Sequence, residues 1–186
     1  MKIYTIIGGT NGVGKSSFIG SLDEQRNDLG VIIDADKFNL RFGGDKVKGG
    51  KSAVEVISDC LEREISFTQE TTLSGHKTLR TIKKAREKNY KIRLYYIGIS
   101  SAEESLIRIE NRVKKGGHDI PTGDVVRRYA SRFDDLAKVL PYCDEAYFYD
   151  NENGFAKVAE YKNGKIRTVG EYKPDWLKKL IEVVKN

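Results

Sequence analysis

The amino-acid sequence predicts an α/β fold in which a five-stranded parallel sheet carries helices on both faces. Three observations predict this class: short β-branched apolar runs alternate with segments of helical spacing, a glycine-rich loop follows the first run, and a hairpin turn lies near the C-terminus. Alternating strands and helices are typical of parallel sheets, because each crossover between parallel strands needs a long connection. The hairpin and a last helix are expected as an addition to this sheet.

Length and composition indicate one domain. The chain has 186 residues, of which 39% are hydrophobic, and this is enough for a full core. We expect a core over residues 1–151 and a hairpin-and-helix appendage over residues 152–186. No apolar run approaches the roughly eighteen residues that a membrane span needs. Cys60 and Cys143 form neither a disulfide framework nor a zinc spacing, so we expect a cytoplasmic protein without a membrane segment.

The elements follow from periodicity and turn residues. Buried strands are expected at residues 2–7, 30–34, 66–70, 91–99 and 145–149. Helices are expected at residues 16–22, 52–65, 77–88, 102–113, 124–140 and 174–184. Residues 41–50 form a polar, glycine-containing stretch between a strand and the next helix. Asn163-Gly164 separates two strand-like runs and predicts a hairpin.

The segment from Gly9 to Ser16, GTNGVGKS, fits the phosphate-binding pattern G-x-x-x-x-G-K-[ST]. Its glycines allow a tight backbone turn in which successive N–H groups converge on one anion. Lys15 adds a positive charge for the outer phosphates, and the Ser16 hydroxyl is suited to Mg²⁺. A strand before the loop and a helix after it supply the context that the motif requires. The expected nucleotide contacts are Gly9, Thr10, Asn11, Gly12, Val13, Gly14, Lys15, Ser16 and Ser17.

Acidic and hydroxyl side chains follow the second and third strands, where an open parallel sheet binds its ligands. Asp34 and Asp36 are two residues apart, so they share a face if the strand continues that far. One of them could hold Mg²⁺ or local structure while the other accepts a proton from a substrate hydroxyl. The alternative is that both are turn aspartates that cap the next segment. Glu70 and Thr71 are candidates for substrate contacts, with a solvent-exposed strand end as the alternative.

A basic set surrounds the glycine pair Gly116-Gly117, which is expected to end a helix and leave a mobile connection. Phosphoryl transfer spreads negative charge over the equatorial oxygens, and arginines on a closing flap commonly stabilise that charge. We expect Lys114 and Lys115 to lie on a solvated helix face. The remaining candidates for substrate or phosphate contacts are Arg108, Arg112, His118, Arg127 and Arg128.

The formal net charge of +6 allows an anionic small molecule or a nucleic acid as partner. The densest basic segment, residues 77–93, spreads its cations around a helix and into a strand. No aromatic platform is interleaved with them, as a single-strand binder would need. We therefore expect no nucleic-acid partner.

Taken together, these motifs resemble the zeta-toxin-like P-loop kinases, and more specifically their small chromosomal branch of predicted ATPases. The resemblance covers roughly residues 1 to 151, and the ordered set of motifs is more specific than the phosphate loop alone. The matching segments are residues 8–17, 33–39, 69–75, 108–121, 127–129 and 149–151.

The resemblance implies a nucleotide-kinase-like P-loop NTPase core that binds ATP and Mg²⁺. In characterised zeta toxins the acceptor is a hydroxyl of a UDP-N-acetyl sugar. By position, Asp36 matches the family's base, Glu70 matches a glutamate that contacts substrate, and Arg112 is the best match for a lid arginine. A second lid arginine has no aligned counterpart, which leaves Arg127, Arg128 and His118 as substitutes. The chain is also shorter than the plasmid-borne toxins, with a compressed flap.

These observations favour an ATP- and Mg²⁺-dependent kinase that transfers the γ-phosphoryl group to the hydroxyl of a small molecule, with Asp36, Lys15 and Arg112 as catalytic residues. The resemblance adds an antitoxin protein as a candidate partner. Two alternatives stay open. One is a polynucleotide or nucleoside-type kinase, and the other is a non-catalytic ATP-binding regulatory protein.

Overall fold

Within residues 1–185, which the computed structural model describes apart from the side chain of residue 46, seven strands form one sheet. Across the sheet the strand order is β2-β3-β1-β4-β5-β6-β7, with β1 to β5 parallel and β6 and β7 antiparallel. The strands are β1 (Ile3–Gly8), β2 (Val31–Asp34), β3 (Phe67–Thr71), β4 (Lys91–Gly98), β5 (Glu145–Asp150), β6 (Ala156–Lys162) and β7 (Lys165–Thr168).

The helices of the described chain connect these strands. They are α1 (Lys15–Asp23), α2 (Ala35–Arg41), α3 (Lys46–Glu62), α4 (Lys77–Glu87), α5 (Ala102–Lys114), α6 (Thr122–Val139) and α7 (Asp175–Lys185), with a 3₁₀ turn at Leu140–Tyr142. The predicted α/β class is confirmed. No helix within residues 1–185 combines the length and the apolar character needed to cross a membrane.

The central strands β1 and β4 are buried on both faces, which explains why they read as continuous apolar runs. Successive residues of a strand point to opposite faces. In β1, Ile6 belongs to the larger core cluster and Ile7 to the other, and both are fully buried. Phe18 of α1 packs with Ile7 in the second cluster. The phosphate-loop helix is therefore anchored on one face of the sheet by its own apolar side chains.

The strand register brings the carboxyl ends of β1, β2 and β3, and the segments that follow them, together at one end of the sheet. Gly8 at the end of β1 pairs with Thr71 of β3, and Asp34 at the end of β2 pairs with Glu70 of β3. Parallel pairing places these carboxyl ends side by side. The polar segments after the first three strands therefore meet at one place.

The C-terminal hairpin gives the sheet two more strands than the five predicted. Asn163 and Gly164 have φ values of 53° and 76°, the left-handed pair that a type I′ turn requires. β6 pairs with β5 along the edge that the parallel strands leave open. Pairing of this edge satisfies backbone groups that would otherwise be exposed. Trp176 and Leu180 of α7 are buried in the larger core cluster.

The segment after β2 is more helical than its sequence suggests. The polar, glycine-containing stretch of residues 41–50 contains the end of α2 and the first turns of α3. Asp45 begins α3 as its N-cap, accepting hydrogen bonds from the N–H groups of Val47 and Lys48 at 3.0 Å each. A capping carboxylate satisfies N–H groups that have no partner inside the helix. These caps offset the weak helical preference of a glycine-containing segment.

Candidate active site

The loop between β1 and α1 adopts a backbone that favours glycine at several positions, among them Gly12 and Gly14. Gly12 and Gly14 have φ values of 79° and 90°. A Cβ on Gly12 would lie 2.6 Å from the carbonyl oxygen of Ser105 in α5, and one on Gly14 would lie 2.7 Å from Nδ2 of Asn151. Gly14 is also the N-cap of α1. The positive end of α1 therefore opens at the loop, as in an anion-binding helix terminus.

Two side chains from distant elements hold this loop. Asn151, just after β5, donates from Nδ2 to the carbonyl oxygen of Val13 at 2.9 Å. Arg128 of α6 donates from Nη1 to Oδ1 of Asn11 at 3.0 Å. The loop is therefore fixed on two sides by contacts that leave its backbone N–H groups unused.

Lys15 and Ser16 contact the same carboxylate. Lys15 Nζ donates to the carbonyl oxygen of Thr10 at 3.0 Å and lies 3.8 Å from Oε1 of Glu70. Ser16 Oγ donates to Oε2 of Glu70 at 2.9 Å. The Lys15 side chain is 7% exposed and that of Glu70 is 12% exposed. A buried cation, a hydroxyl and a carboxylate thus form one cluster at the base of the cleft.

Burial shifts the pKa values of this pair in opposite directions. Removal from water lowers the pKa of Lys15, an effect that Glu70, Asp36 and Asp34 oppose and that the positive charge of Arg112 reinforces. Burial raises the pKa of Glu70, and Lys15 opposes that rise. Both shifts disfavour the charged forms. A polyanion beside Lys15 would favour the charged form of the lysine, so the cluster is suited to a phosphate chain.

Asp34 and Asp36 do not share a strand face, which corrects the arrangement considered from the sequence. β2 ends at Asp34, whose Oδ1 accepts hydrogen bonds from the N–H groups of Asp36 at 2.9 Å and Lys37 at 3.4 Å. Asp34 is buried and caps α2, while Asp36 lies in the first turn of α2 and is exposed. The chain turns at this point because the cap satisfies the helix N–H groups. Of the two carboxylates, that of Asp34 caps the helix and that of Asp36 does not.

Two basic side chains of α5 line the cleft opposite these carboxylates. Arg112 donates from Nη2 to the carbonyl oxygen of His118 and packs against Gly117, where a Cβ would lie 2.5 Å from its Cγ. Arg108 forms an ion pair with Glu104 at 2.6 Å. The connection between α5 and α6 therefore wraps around the Arg112 side chain and holds it at the cleft.

Two clefts meet at this cluster. The first has a volume of about 340 Å³ and includes Asp36 and Leu40 of α2 as well as Arg108, Arg112 and His118. The second has a volume of about 320 Å³ and is rich in hydroxyl and amide groups, from Gln69, Thr71, Thr72, Ser74 and Thr78. The residues common to both clefts are Asn11, Lys15, Asp34, Asp36 and Glu70.

The arginines of α6 are placed differently from each other. Arg128 lines the second cleft, and its Nε is buried without a hydrogen-bond partner among the described residues. Arg127 is 64% exposed, forms an ion pair with Asp124 at 2.8 Å and lines neither cleft. Lys114 forms an ion pair with Glu110 at 2.9 Å on an exposed helix face. Of the basic residues proposed as substitutes for the second lid arginine, the structure brings Arg128 and His118 to the clefts and leaves Arg127 outside.

Asn151 is a site residue that the sequence analysis did not identify. It lies 138 positions from Val13, the residue that it contacts. Its only sequence signal is its place directly after a buried strand, within a segment that also matches the resemblance.

The comparisons with known proteins agree with this geometry. A model of the zeta toxin family matches residues 1–139. An uncharacterised protein of Haemophilus influenzae is 33% identical over 126 residues, covering 65% of this chain and 88% of its own. Among solved structures, the PezAT chromosomal toxin–antitoxin system of Streptococcus pneumoniae superposes with a TM-score of 0.67 at 17% identity, over 100% of this chain and 85% of its own. The complex of AvrRxo1-ORF1 and AvrRxo1-ORF2 with ATP has a TM-score of 0.65 at 14% identity, covering 100% and 76%.

The parallel sheet, the glycine-rich loop at the start of α1 and the buried lysine define a P-loop fold of the nucleotide-kinase type. Within that class the chain belongs to the zeta toxin family.

Proposed function

We propose that this protein is an ATP- and Mg²⁺-dependent kinase that transfers the γ-phosphoryl group to a hydroxyl of a small molecule. The loop from Gly9 to Ser17 holds the phosphates through backbone N–H groups. Burial disfavours the charged form of Lys15, and the phosphate chain supplies negative charge that favours it. The first cleft takes the nucleotide.

The oxygen donors at the base of the cleft fit Mg²⁺. Ser16 Oγ lies 2.9 Å from Glu70 Oε2, and the carboxylate of Asp34 lines the same cleft. Mg²⁺ prefers such oxygens and is commonly held by one or two protein ligands together with phosphates. Ser16 is the proposed protein ligand, and bound Mg²⁺ would neutralise charge on the phosphates.

The second cleft takes the acceptor. Its hydroxyl and amide side chains are suited to a polyhydroxylated molecule, and Glu70 and Thr71 lie where they can hydrogen-bond it. Asp36 lies at the junction of the two clefts and is exposed, so its carboxylate can orient the attacking hydroxyl and accept its proton. Because the chain belongs to the zeta toxin family, a UDP-N-acetyl sugar is the first acceptor to try.

Arginines on both sides of the junction meet the charge that develops during transfer. Arg112 and Arg108 line the first cleft with His118, and Arg128 lines the second. We assign Arg128 the place of the second lid arginine, because its unpaired Nε leaves a buried donor available. Positioned cations of this kind act on the equatorial oxygens of the transferred group.

The observation that carries the proposal is the junction itself. The cleft at the phosphate-binding loop and the hydroxyl-rich cleft share Lys15, Asp36 and Glu70, so a nucleotide and an acceptor can be held on two sides of one carboxylate. Phosphoryl transfer requires this proximity of donor, acceptor and base.

The test is transfer of label. Metabolite extracts incubated with the protein, Mg²⁺ and γ-labelled ATP are analysed by mass spectrometry, with UDP-N-acetylglucosamine as a separate defined acceptor. The proposal predicts a labelled phosphomonoester that is absent from reactions with Lys15→Ala. Binding of ATP without any labelled product would instead favour a non-catalytic regulatory protein.

A polynucleotide or nucleoside-type kinase is the second candidate. Lys77, which lines the second cleft, and the neighbouring Lys51 and Arg80 are exposed and form no ion pair within the described part of the chain. Unpaired cations beside an acceptor cleft suit a phosphodiester backbone. Salt-dependent binding of a short oligonucleotide, together with labelling of its end, would favour this candidate.

An antitoxin protein is the proposed macromolecular partner. The solved PezAT structure is of a toxin–antitoxin system, and this chain shares its fold and family. Inhibition of labelled transfer by a protein encoded beside this one would support that partner.

A further inference from the structure

Asn151 contacts a peptide group of the phosphate loop. Its Nδ2 donates to the carbonyl oxygen of Val13 at 2.9 Å. The Val13–Gly14 peptide bond is trans, so its C=O and N–H groups point in opposite directions. With the carbonyl of Val13 directed at Asn151, the N–H of Gly14 is directed away from Asn151. Gly14 lines the first cleft.

Asn151 is held by β4, and the residue before it is held by the C-terminal helix. Its backbone N–H donates to the carbonyl oxygen of Gly98 at 3.1 Å. The preceding residue, Asp150, is 2% exposed and accepts a hydrogen bond from Nε1 of Trp176 at 2.6 Å. Tyr172 donates to the same carboxylate at 3.3 Å. The indole of Trp176 packs over Gly98, where a Cβ would lie 2.4 Å from its Cε2.

Glu152, the residue after Asn151, connects this strand end to α5. Glu152 accepts a hydrogen bond from the backbone N–H of Ser100 at 3.0 Å, and its carbonyl oxygen accepts one from Nη2 of Arg108 at 3.3 Å. Residues 150, 151 and 152 therefore contact α7, the phosphate loop and α5 in turn. Trp176, which contacts this strand end through Asp150, lies outside the segment that the family model matches.

We propose that Asn151 is a positioning residue for phosphate binding, and that α7 sets the affinity of the loop for nucleotide through the Trp176–Asp150 hydrogen bond. Asn151 fixes the Val13 carbonyl and thereby aims the Gly14 N–H at the phosphates. Trp176 holds Asp150, and through it the adjoining Asn151. The inference rests on the proposed function only in requiring that the loop binds the phosphates of ATP.

The experiment compares Asn151→Asp, Asn151→Ala and the unmodified protein by calorimetric titration with Mg·ATP and with pyrophosphate. A carboxylate at position 151 cannot donate to the Val13 carbonyl, so Asn151→Asp is expected to weaken both affinities about tenfold or more. Asn151→Ala is expected to weaken them several-fold. The thermal midpoints are expected to stay close to that of the unmodified protein, because no apolar core group is removed.

A second pair of variants tests the contribution of α7. Trp176→Phe keeps an aromatic ring but removes the indole donor, and is expected to weaken ATP binding about threefold or more. Tyr172→Phe removes the longer hydrogen bond to the same carboxylate, from a more exposed side chain, and serves as the matched control, with unchanged affinity expected. In an Asn151→Ala background, Trp176→Phe should have little further effect, since both changes act through one contact.

Backbone amide spectra distinguish positioning from general loosening. In the unmodified protein the Gly14 N–H resonance is expected to shift on addition of pyrophosphate, and the shift should be smaller in Asn151→Ala. Unchanged affinity in folded Asn151→Asp, or loss of ATP affinity with retained pyrophosphate affinity, would overturn the inference and leave the proposed function standing. Absence of ATP binding by the unmodified protein would overturn both.

Discussion

Asp34 and Asp36 are close in sequence, but their carboxylates differ in contacts and exposure. Asp34 accepts two backbone N–H groups and caps α2, whereas Asp36 lies exposed at the junction of the clefts. We predict that Asp36→Asn keeps ATP affinity within a few-fold and lowers phosphoryl transfer by about 10² or more, the usual scale for a positioned base. Titration calorimetry and initial rates of labelled transfer measure the two effects separately.

Asp34→Asn is the comparison for that experiment. Asparagine is as good an N-cap as aspartate, so α2 should be retained and the effect should appear in the Mg²⁺ dependence of transfer. A wild-type transfer rate in Asp36→Asn would show that Asp36 is not the base and would make Asp34 the next candidate.

Arg112 and Arg128 are predicted to differ in which kinetic constant they control. Arg112 contacts the carbonyl of His118 and lines the first cleft, so Arg112→Ala should lower kcat about 10²-fold while changing the KM for ATP little. Arg128 also holds Asn11 of the phosphate loop, so Arg128→Ala should raise the KM as well. Steady-state kinetics measure both constants, with Arg63→Ala, an exposed arginine directly after α3, as the control. A loss confined to KM in Arg112→Ala would reduce Arg112 to a ground-state contact.

Among the elements, the connection between α5 and α6 orients Arg112 through its backbone. A methyl group on Gly117 would lie 2.5 Å from Cγ of Arg112, so Gly117→Ala should displace the guanidinium from the cleft. We predict a fall in kcat of about tenfold, with little change in the free energy of unfolding, because this connection is exposed. Gly123→Ala, whose Cβ would meet open space at the start of α6, is the matched control for steady-state kinetics. Equal kcat values for the two variants would contradict the prediction.

The sequence predicted elements well where local pattern decides them. Continuous apolar runs located β1 to β5, and Asn163-Gly164 located the hairpin. α2 was missed because its seven residues carry no apolar period and depend on the cap from Asp34. Periodicity also could not show that the hairpin pairs with β5, because strand pairing is decided by which edge remains open.

The sequence predicted the part of the site that lies in one contiguous motif and missed the contacts between distant residues. Lys15 and Ser16 belong to a contiguous motif, so their place in the loop is set by local sequence. The supports of that loop come from far along the chain: Arg128 lies 117 positions from Asn11. Contacts over such separations depend on how the helices pack on the sheet, and no spacing rule in one sequence encodes them.

For the whole molecule, thiol and phenol groups buried in the core predict that the free energy of unfolding declines at alkaline pH. Burial raises the pKa of the Cys143 thiol to about 12, and it also raises the pKa of the Tyr4 and Tyr96 hydroxyls. In the unfolded chain a cysteine titrates near about 8.5. Above that pH the folded state binds more protons than the unfolded state, so the free energy of unfolding falls as pH rises.

Cys143→Ala isolates one of these groups. Below about pH 8 the stability difference between the unmodified protein and Cys143→Ala should be constant, and above it the advantage of the unmodified protein should shrink by up to about 1.4 kcal/mol per pH unit. Denaturant unfolding at a series of pH values measures this difference. A difference that does not change up to pH 10 would mean that Cys143 titrates normally in the folded protein.

The central claim is that the loop at the end of β1 holds the phosphates of ATP, and titration calorimetry of Mg·ATP against the unmodified protein and Lys15→Ala tests it most directly. Lys15 is the buried cation of the loop, 3.8 Å from Glu70, and its removal leaves the phosphates without that charge. We predict that the unmodified protein binds Mg·ATP and that Lys15→Ala, still folded by its unfolding curve, binds it at least about tenfold more weakly. Equal affinity in the two proteins would contradict the account.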